Sequence, residues 1–103
     1  MNKLIIASLM LLVASAANSA DLSEQAIKTK YQQSCFACHS TGAAGAPKTG
    51  VPEQWTDRMK KGMDVLVANV DKGMNAMPPK GMCFDCTPEQ FEALINYMVA
   101  PKQ

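Results

Sequence analysis

Five consecutive residues, Cys35-Phe36-Ala37-Cys38-His39, constrain this chain more than any other part of it. On a helical turn, residues three apart share a face. Two sulfurs so spaced can reach one flat ligand, and the imidazole after them can turn toward its centre. Cys-x-x-Cys-His is the pattern of c-type haem attachment: both thiols become thioethers, and the histidine becomes an axial ligand of the iron. His39 is the single histidine of the sequence, so no other imidazole competes for the role. Cys35, Cys38 and His39 are therefore candidate cofactor-binding residues, with His39 as a candidate metal ligand.

A second pair, Cys83-Phe84-Asp85-Cys86, opens rival readings. Four sulfurs could hold zinc or an iron–sulfur centre. That reading leaves His39 unused and needs β-hairpin knuckles, yet no stretch alternates as a strand does. A thioredoxin-like dithiol needs a βαβ context that is equally missing. Haem is the favoured cofactor.

The first twenty residues read as a secretory signal peptide. Asn2 and Lys3 form a short positive start, and an apolar run from Leu4 to Ala17 is broken only by Ser8 and Ser15. Small residues lead to Ala20, and polar sequence starts at Asp21. The run is too short and wrongly flanked to remain as a membrane span. Cleavage is placed after Ala20, with Ala17 and Ser19 as alternative ends. The division is then residues 1–20 as leader and 21–103 as one domain, exported to the periplasm. Export implies an oxidising compartment, where each cysteine needs a partner.

Cleavage leaves 83 residues of the 103, few for an apolar core to hold unaided. Without Lys3 the ten basic residues become nine, matching the nine acidic ones. A near-neutral chain has no basic excess for nucleic acid or for a polybasic membrane contact.

The pattern along the mature part predicts an all-α fold of four to five short helices. Residues 23–34 form the first, with apolar positions three and four apart and Asp21 or Ser23 as its cap. Residues 40–52 are loop, with three glycines and two prolines among small side chains. A second helix is predicted over 53–61, with Trp55 and Met59 on one face, and a third from about Asp64 to Val70, closed by Gly73. The last has the clearest start. Thr87 caps it, Pro88 takes the first helical position, and Gln90 completes a Thr-x-x-Gln box. Phe91, Leu94, Ile95 and Met98 form its apolar face. Long loops between such helices suggest wrapping around a ligand.

A haem iron that shuttles electrons needs a second axial ligand, and here methionine is the candidate. Met59 and Met98 sit on apolar helix faces and read as core filling. Met77 lies instead in a loop, with Pro78 and Pro79 next to it stiffening the backbone. It is favoured over Met74 and Met82.

These residues together resemble a known family. Cys35 to His39, Ala46-Pro47-Lys48, Trp55, Met77-Pro78-Pro79-Lys80-Gly81 and Cys83-Phe84-Asp85-Cys86 are similar to cytochrome c5 of proteobacteria. The resemblance spans nearly the whole mature chain. It implies a small class I cytochrome c fold wrapped around one covalent haem c, with His39 and Met77 as axial ligands of the iron. It implies a short disulfide between Cys83 and Cys86, and a Pro47 carbonyl accepting the other N–H of His39. It further implies single-electron transfer, not catalysis, between respiratory donors and terminal oxidases or peroxidases, by transient docking of redox protein partners. A haem peroxidase or sensor with a dissociable ligand is the rival. Met82 departs from the family, where a small or polar residue is common.

Further expectations concern the surroundings of the ring. Tyr31, Phe36, Val67, Leu94 and Ile95 are candidates to shield it. Trp55 and Arg58 are candidates to reach a propionate. Lys48, Lys60, Lys61, Lys72 and Lys80 are candidates to ring its exposed edge, against the plainer reading of a scattered solvated surface.

Overall fold

The computed structural model describes residues 20–102. The leader read over residues 1–20 lies outside them, Ala20 excepted. Among the described residues the fold is helical, with no strand and a single isolated bridge between Met74 and Met77. No described helix is long and apolar enough to cross a membrane.

The chain enters helix α1, Glu24–Lys30, at Ser23, whose hydroxyl accepts the Ala26 N–H at 3.2 Å. The helix does not stop at Ser34. It continues through a π-helical turn, Tyr31–Cys35, into α2, Phe36–His39. The Cys-x-x-Cys-His residues thus belong to the helix and do not come after it. In an unbroken α-helix Ile27, Tyr31, Cys35 and Cys38 would share one stripe. A π turn takes in an extra residue and rotates the helix beyond it by about 100°. Ile27 and Tyr31 are buried in the core, while Cys35 and Cys38 line a cavity.

Residues 40–52 are loop as expected, with one short 3₁₀ turn at Ala43–Gly45. The predicted helix over 53–61 is a 3₁₀ turn, Pro52–Gln54, and then one α turn, α3, Thr56–Met59. Helix α4, Met63–Lys72, starts after Gly62 and ends at Gly73, longer than expected at both ends. After a 3₁₀ turn at Pro79–Met82 comes α5, Pro88–Val99. Its start is as read: Thr87 Oγ1 accepts the Gln90 N–H at 3.2 Å, and Gln90 Oε1 accepts the Thr87 N–H at 3.0 Å.

Helix α5 is the spine of the core. Its Phe91, Leu94, Ile95 and Met98 are each at most 3% exposed, and both α1 and α4 pack against it. Gln90, buried on the same helix, also donates to the Asp21 carbonyl at 3.2 Å. That bond ties the start of the domain to the start of its last helix. Ile27, Tyr31, Trp55, Leu66, Cys83 and Cys86 complete the buried cluster.

Candidate functional site

A cavity of about 450 Å³ opens between the two cysteines of the Cys-x-x-Cys-His motif and the loop after α4. Cys35, Cys38 and His39 line it together with Met74, Met77, Pro78 and Met82. Ile95 and Met98 close its inner end. The charged residues on it are Asp57, Arg58 and Lys61, all within one short stretch of sequence. The lining is largely apolar with a few convergent polar groups, as in small-molecule and cofactor sites.

His39 is buried and held from two sides. Its Nδ1 lies 2.8 Å from the Pro47 carbonyl oxygen. A carbonyl can only accept, so Nδ1 carries the proton and Nε2 keeps its lone pair for a metal. The expectation for Pro47 drawn from the family resemblance is met. The ring also stacks on Trp55, with centroids 5.6 Å apart and planes at 24°. The loop that carries Pro47 is itself anchored. The Trp55 indole N–H donates to the Lys48 carbonyl at 2.9 Å, and Gln54 Oε1 accepts the Lys48 N–H at 2.8 Å. The Thr49 N–H returns to the His39 carbonyl at 2.8 Å, while the Tyr31 hydroxyl donates to Thr49 Oγ1 at 2.8 Å. The N–H of Trp55, a candidate to reach a propionate, is committed to this loop, while the residue itself lines the cavity.

The two cysteines of the motif are separate thiols, Cys35 half-buried and Cys38 exposed. Burial pushes the Cys35 thiol up to about 11. A dithiol redox centre works through a thiol whose pKa is lowered, so this environment argues against one. The second pair is bonded: Cys83 and Cys86 form a disulfide, with Cα atoms 5.4 Å apart and both residues buried. With those sulfurs joined, a four-sulfur metal site is ruled out.

Met77 sits in a narrow turn. Its N–H donates to the Met74 carbonyl at 2.9 Å, and the Met74 N–H donates back to the Met77 carbonyl at 3.0 Å. Two glycines bracket it. A Cβ on Gly73 would lie 2.9 Å from the Met77 carbonyl oxygen and 2.9 Å from the Pro79 nitrogen. A Cβ on Gly81 would lie 3.2 Å from the Met77 methyl carbon. The sequence marks Gly73 only as a helix end and shows neither close approach. Such packing has no local signal beyond the residue type itself.

Of the five expected ring shields only Ile95 lines the cavity. Tyr31, Val67 and Leu94 belong to the surrounding core, and Phe36 is 52% exposed, edge-on to Tyr31. Of the five expected lysines only Lys61 lines it. Lys60 pairs with Asp57 at 3.2 Å, and Lys80 with Asp71 at 2.6 Å.

A haem-attachment motif on a helix, its histidine oriented by a backbone carbonyl, lining one apolar cavity with several methionines, defines a class: the c-type cytochromes. Comparison with known proteins agrees. The family described as cytochrome C oxidase, cbb3-type, subunit III matches residues 23–98. Cytochrome c5 of Azotobacter vinelandii is 47% identical over 66 residues, 62% of this chain and 80% of that one. Cytochrome c-555 of Chlorobaculum thiosulfatiphilum is 42% identical over 76 residues, 70% and 88% of the two. A mono-haem ferrocytochrome c from Shewanella putrefaciens superimposes with a TM-score of 0.67 at 47% identity, covering 81% of this chain and all of that one. A cytochrome c solved in an electron transfer complex with nitrite reductase gives a TM-score of 0.64 at 36% identity, covering 72% and 90%. The chain belongs to the cytochrome c5 family, monohaem class I c-type cytochromes, and membership implies a covalently bound haem c.

Proposed function

We propose that this chain is a periplasmic electron carrier whose one covalent haem c is held by Cys35 and Cys38, with His39 and Met77 as axial ligands. One observation carries the reading: Cys35, Cys38, His39 and Met77 all line the same apolar cavity, and the Nδ1 of His39 is engaged by the Pro47 carbonyl. The donor set fits the group. Two uncommitted thiols meet the two vinyl substituents, and a nitrogen and a thioether meet the two open iron positions.

Bound there, the haem supplies a one-electron iron couple. The residues do the rest. His39 offers Nε2 while its Nδ1–H stays on Pro47, which fixes the ring and raises its basicity. Met77 offers a weak ligand from a turn with little freedom to move, which lowers the entropy lost in binding. Ile95, Met98 and Leu66 exclude water from the inner end. Arg58 and Lys61 bring positive charge to the cavity and would be available to a propionate; among the described residues neither has a carboxylate partner in an ion pair. Were His39 and Met77 both to bind the iron, no position would be left for oxygen or peroxide, and the protein would carry electrons without catalysis. Its partners are redox proteins met in brief, small-area encounters. The relative solved with nitrite reductase supports that class of partner.

Mass spectrometry of the exported protein tests the core of the reading. The mature chain from Asp21 should carry the mass of one haem, and an unmodified mass would refute it. The ferric spectrum tests the ligand. A far-red sulfur-to-iron charge-transfer band should be present and should vanish in Met77→Ala, with a lower reduction potential. A high-spin resting spectrum in the unaltered protein would favour an enzyme or sensor.

A further inference from the structure

Lys80 stands at an unusual place. It comes just after the two prolines beside Met77, and it holds φ at +60°, a region that L side chains rarely adopt. Asn75 and Met82, on either side, are also at positive φ, +54° and +67°. Three strained non-glycine residues within eight positions persist only where the surroundings hold them. Within the turn the bonds are local: Met74 with Met77, Gly81 with Pro78 and Cys83 with Lys80. None of these bonds ties the turn to another helix. The side chain of Lys80 does. Its ammonium lies 2.6 Å from an Asp71 carboxylate oxygen on the last turn of α4 and 5.9 Å from the centre of the Phe91 ring on α5. Lys80 and Asp71 are 39% and 53% exposed, so neither is deeply desolvated.

We infer that the Lys80–Asp71 pair positions Met77: it latches the methionine turn onto α4 and so keeps other ligands from the face Met77 occupies. The inference rests on Met77 being the sixth ligand, as proposed above. The chemistry is simple. Opening the face requires the turn to swing off α4, and the turn's strain favours that motion. The ion pair opposes it, as does the contact of the Lys80 ammonium with Phe91. Pro78 and Pro79 make the segment stiff, so Met77 and Lys80 move together. Lys80 is then a structural cation turned inward on its own chain, not a docking charge.

The test is the binding of imidazole to the ferric holoprotein, monitored by loss of the far-red band. Asp71→Asn and Lys80→Gln should each raise imidazole affinity about twofold to fivefold, the upper part of the range for a partly exposed ion pair. Lys80→Arg should restore affinity to within about twofold, since it keeps the charge. The double variant should bind no more tightly than either single one, because both remove the same interaction. Rising salt should increase affinity in the unaltered protein and leave Asp71→Asn unmoved. Singles that bind as the unaltered protein does, or effects that multiply in the double variant, overturn the latch and leave the ligand assignment standing. A far-red band missing before any substitution overturns both.

Discussion

At the scale of single residues, the methionine turn depends on two absent side chains. Gly73 takes φ +83° and ψ 155°, a conformation almost confined to glycine. A methyl group there also meets backbone atoms of Met77 and Pro79 at 2.9 Å, and backbone cannot step aside. Gly73→Ala should cost about 2–3 kcal/mol and lower the melting temperature by about 8 °C or more. Gly81 differs in kind. Its φ of +55° is one that other residues of this turn already tolerate, and its Cβ would meet only the mobile end of Met77. Gly81→Ala should cost only about 1 kcal/mol of stability but disturb the ligand. The expected signature is a weakened or shifted far-red band with a melting temperature only about 4–8 °C lower. A band unchanged in Gly81→Ala would mean that Met77 keeps its methyl elsewhere once bound. Neither role is legible in sequence, because both come from chain segments that fold back on themselves. The roles proposed for Cys35, Cys38 and His39 are legible, since a fixed chemistry needs those three at that spacing.

At the scale of elements, legibility depends on the range of the signals. Helix α5 can be read to the residue because cap, proline and box lie within four positions of its start. Thr87→Ala removes one half of the box and should cost about 1 kcal/mol. The melting temperature should fall by about 4–8 °C with the haem spectrum unchanged, and Thr87→Ser should restore it. The end of the first helix is harder to read, for a different reason. Taking the haem motif as a separate unit ends the helix at Ser34, although no breaker intervenes until Gly42, whose N–H closes on the Cys38 carbonyl at 3.0 Å. The π turn that rotates the motif off the core stripe has no sequence signature of its own. The disulfide is legible only through the family resemblance, since a cysteine alone cannot name its partner. It spans three residues, so cross-linking removes little freedom from the unfolded chain. Replacing both cysteines by alanine should cost about 2 kcal/mol from lost loop closure. Calorimetry of the holoprotein reads that directly. A much larger loss would show that the bridge, together with the Lys30–Asp85 pair at 3.2 Å, braces the methionine turn against α1.

At the scale of the whole molecule, the question is how partners find the site. Composition makes a lysine ring a reasonable expectation, because 103 residues hold ten basic groups and a sequence does not say where they point. The fold distributes them otherwise. Lys60 and Lys80 are neutralised by Asp57 and Asp71, Lys30 by Asp85, and the ammonium of Lys102 lies 3.6 Å from the centre of the Tyr97 ring. The cavity is bordered mainly by small or apolar residues, among them Ala43, Ala44, Gly45, Met74, Ala76 and Met82, with Met82 57% exposed. The sequence holds ten basic and nine acidic residues, so little net field steers a partner from a distance. Encounter then depends on apolar contact at the rim. Two rates should show it. Electron exchange with a redox protein partner should change by less than about threefold as ionic strength rises from about 0.01 to 0.2 M, where steered associations fall steeply. Met82→Lys should slow that exchange with an uncharged or basic partner while leaving the spectrum native, because it puts a hydrated charge on the rim. A steep fall with salt in the unaltered protein would return the lysines to the docking role and make the apolar rim incidental.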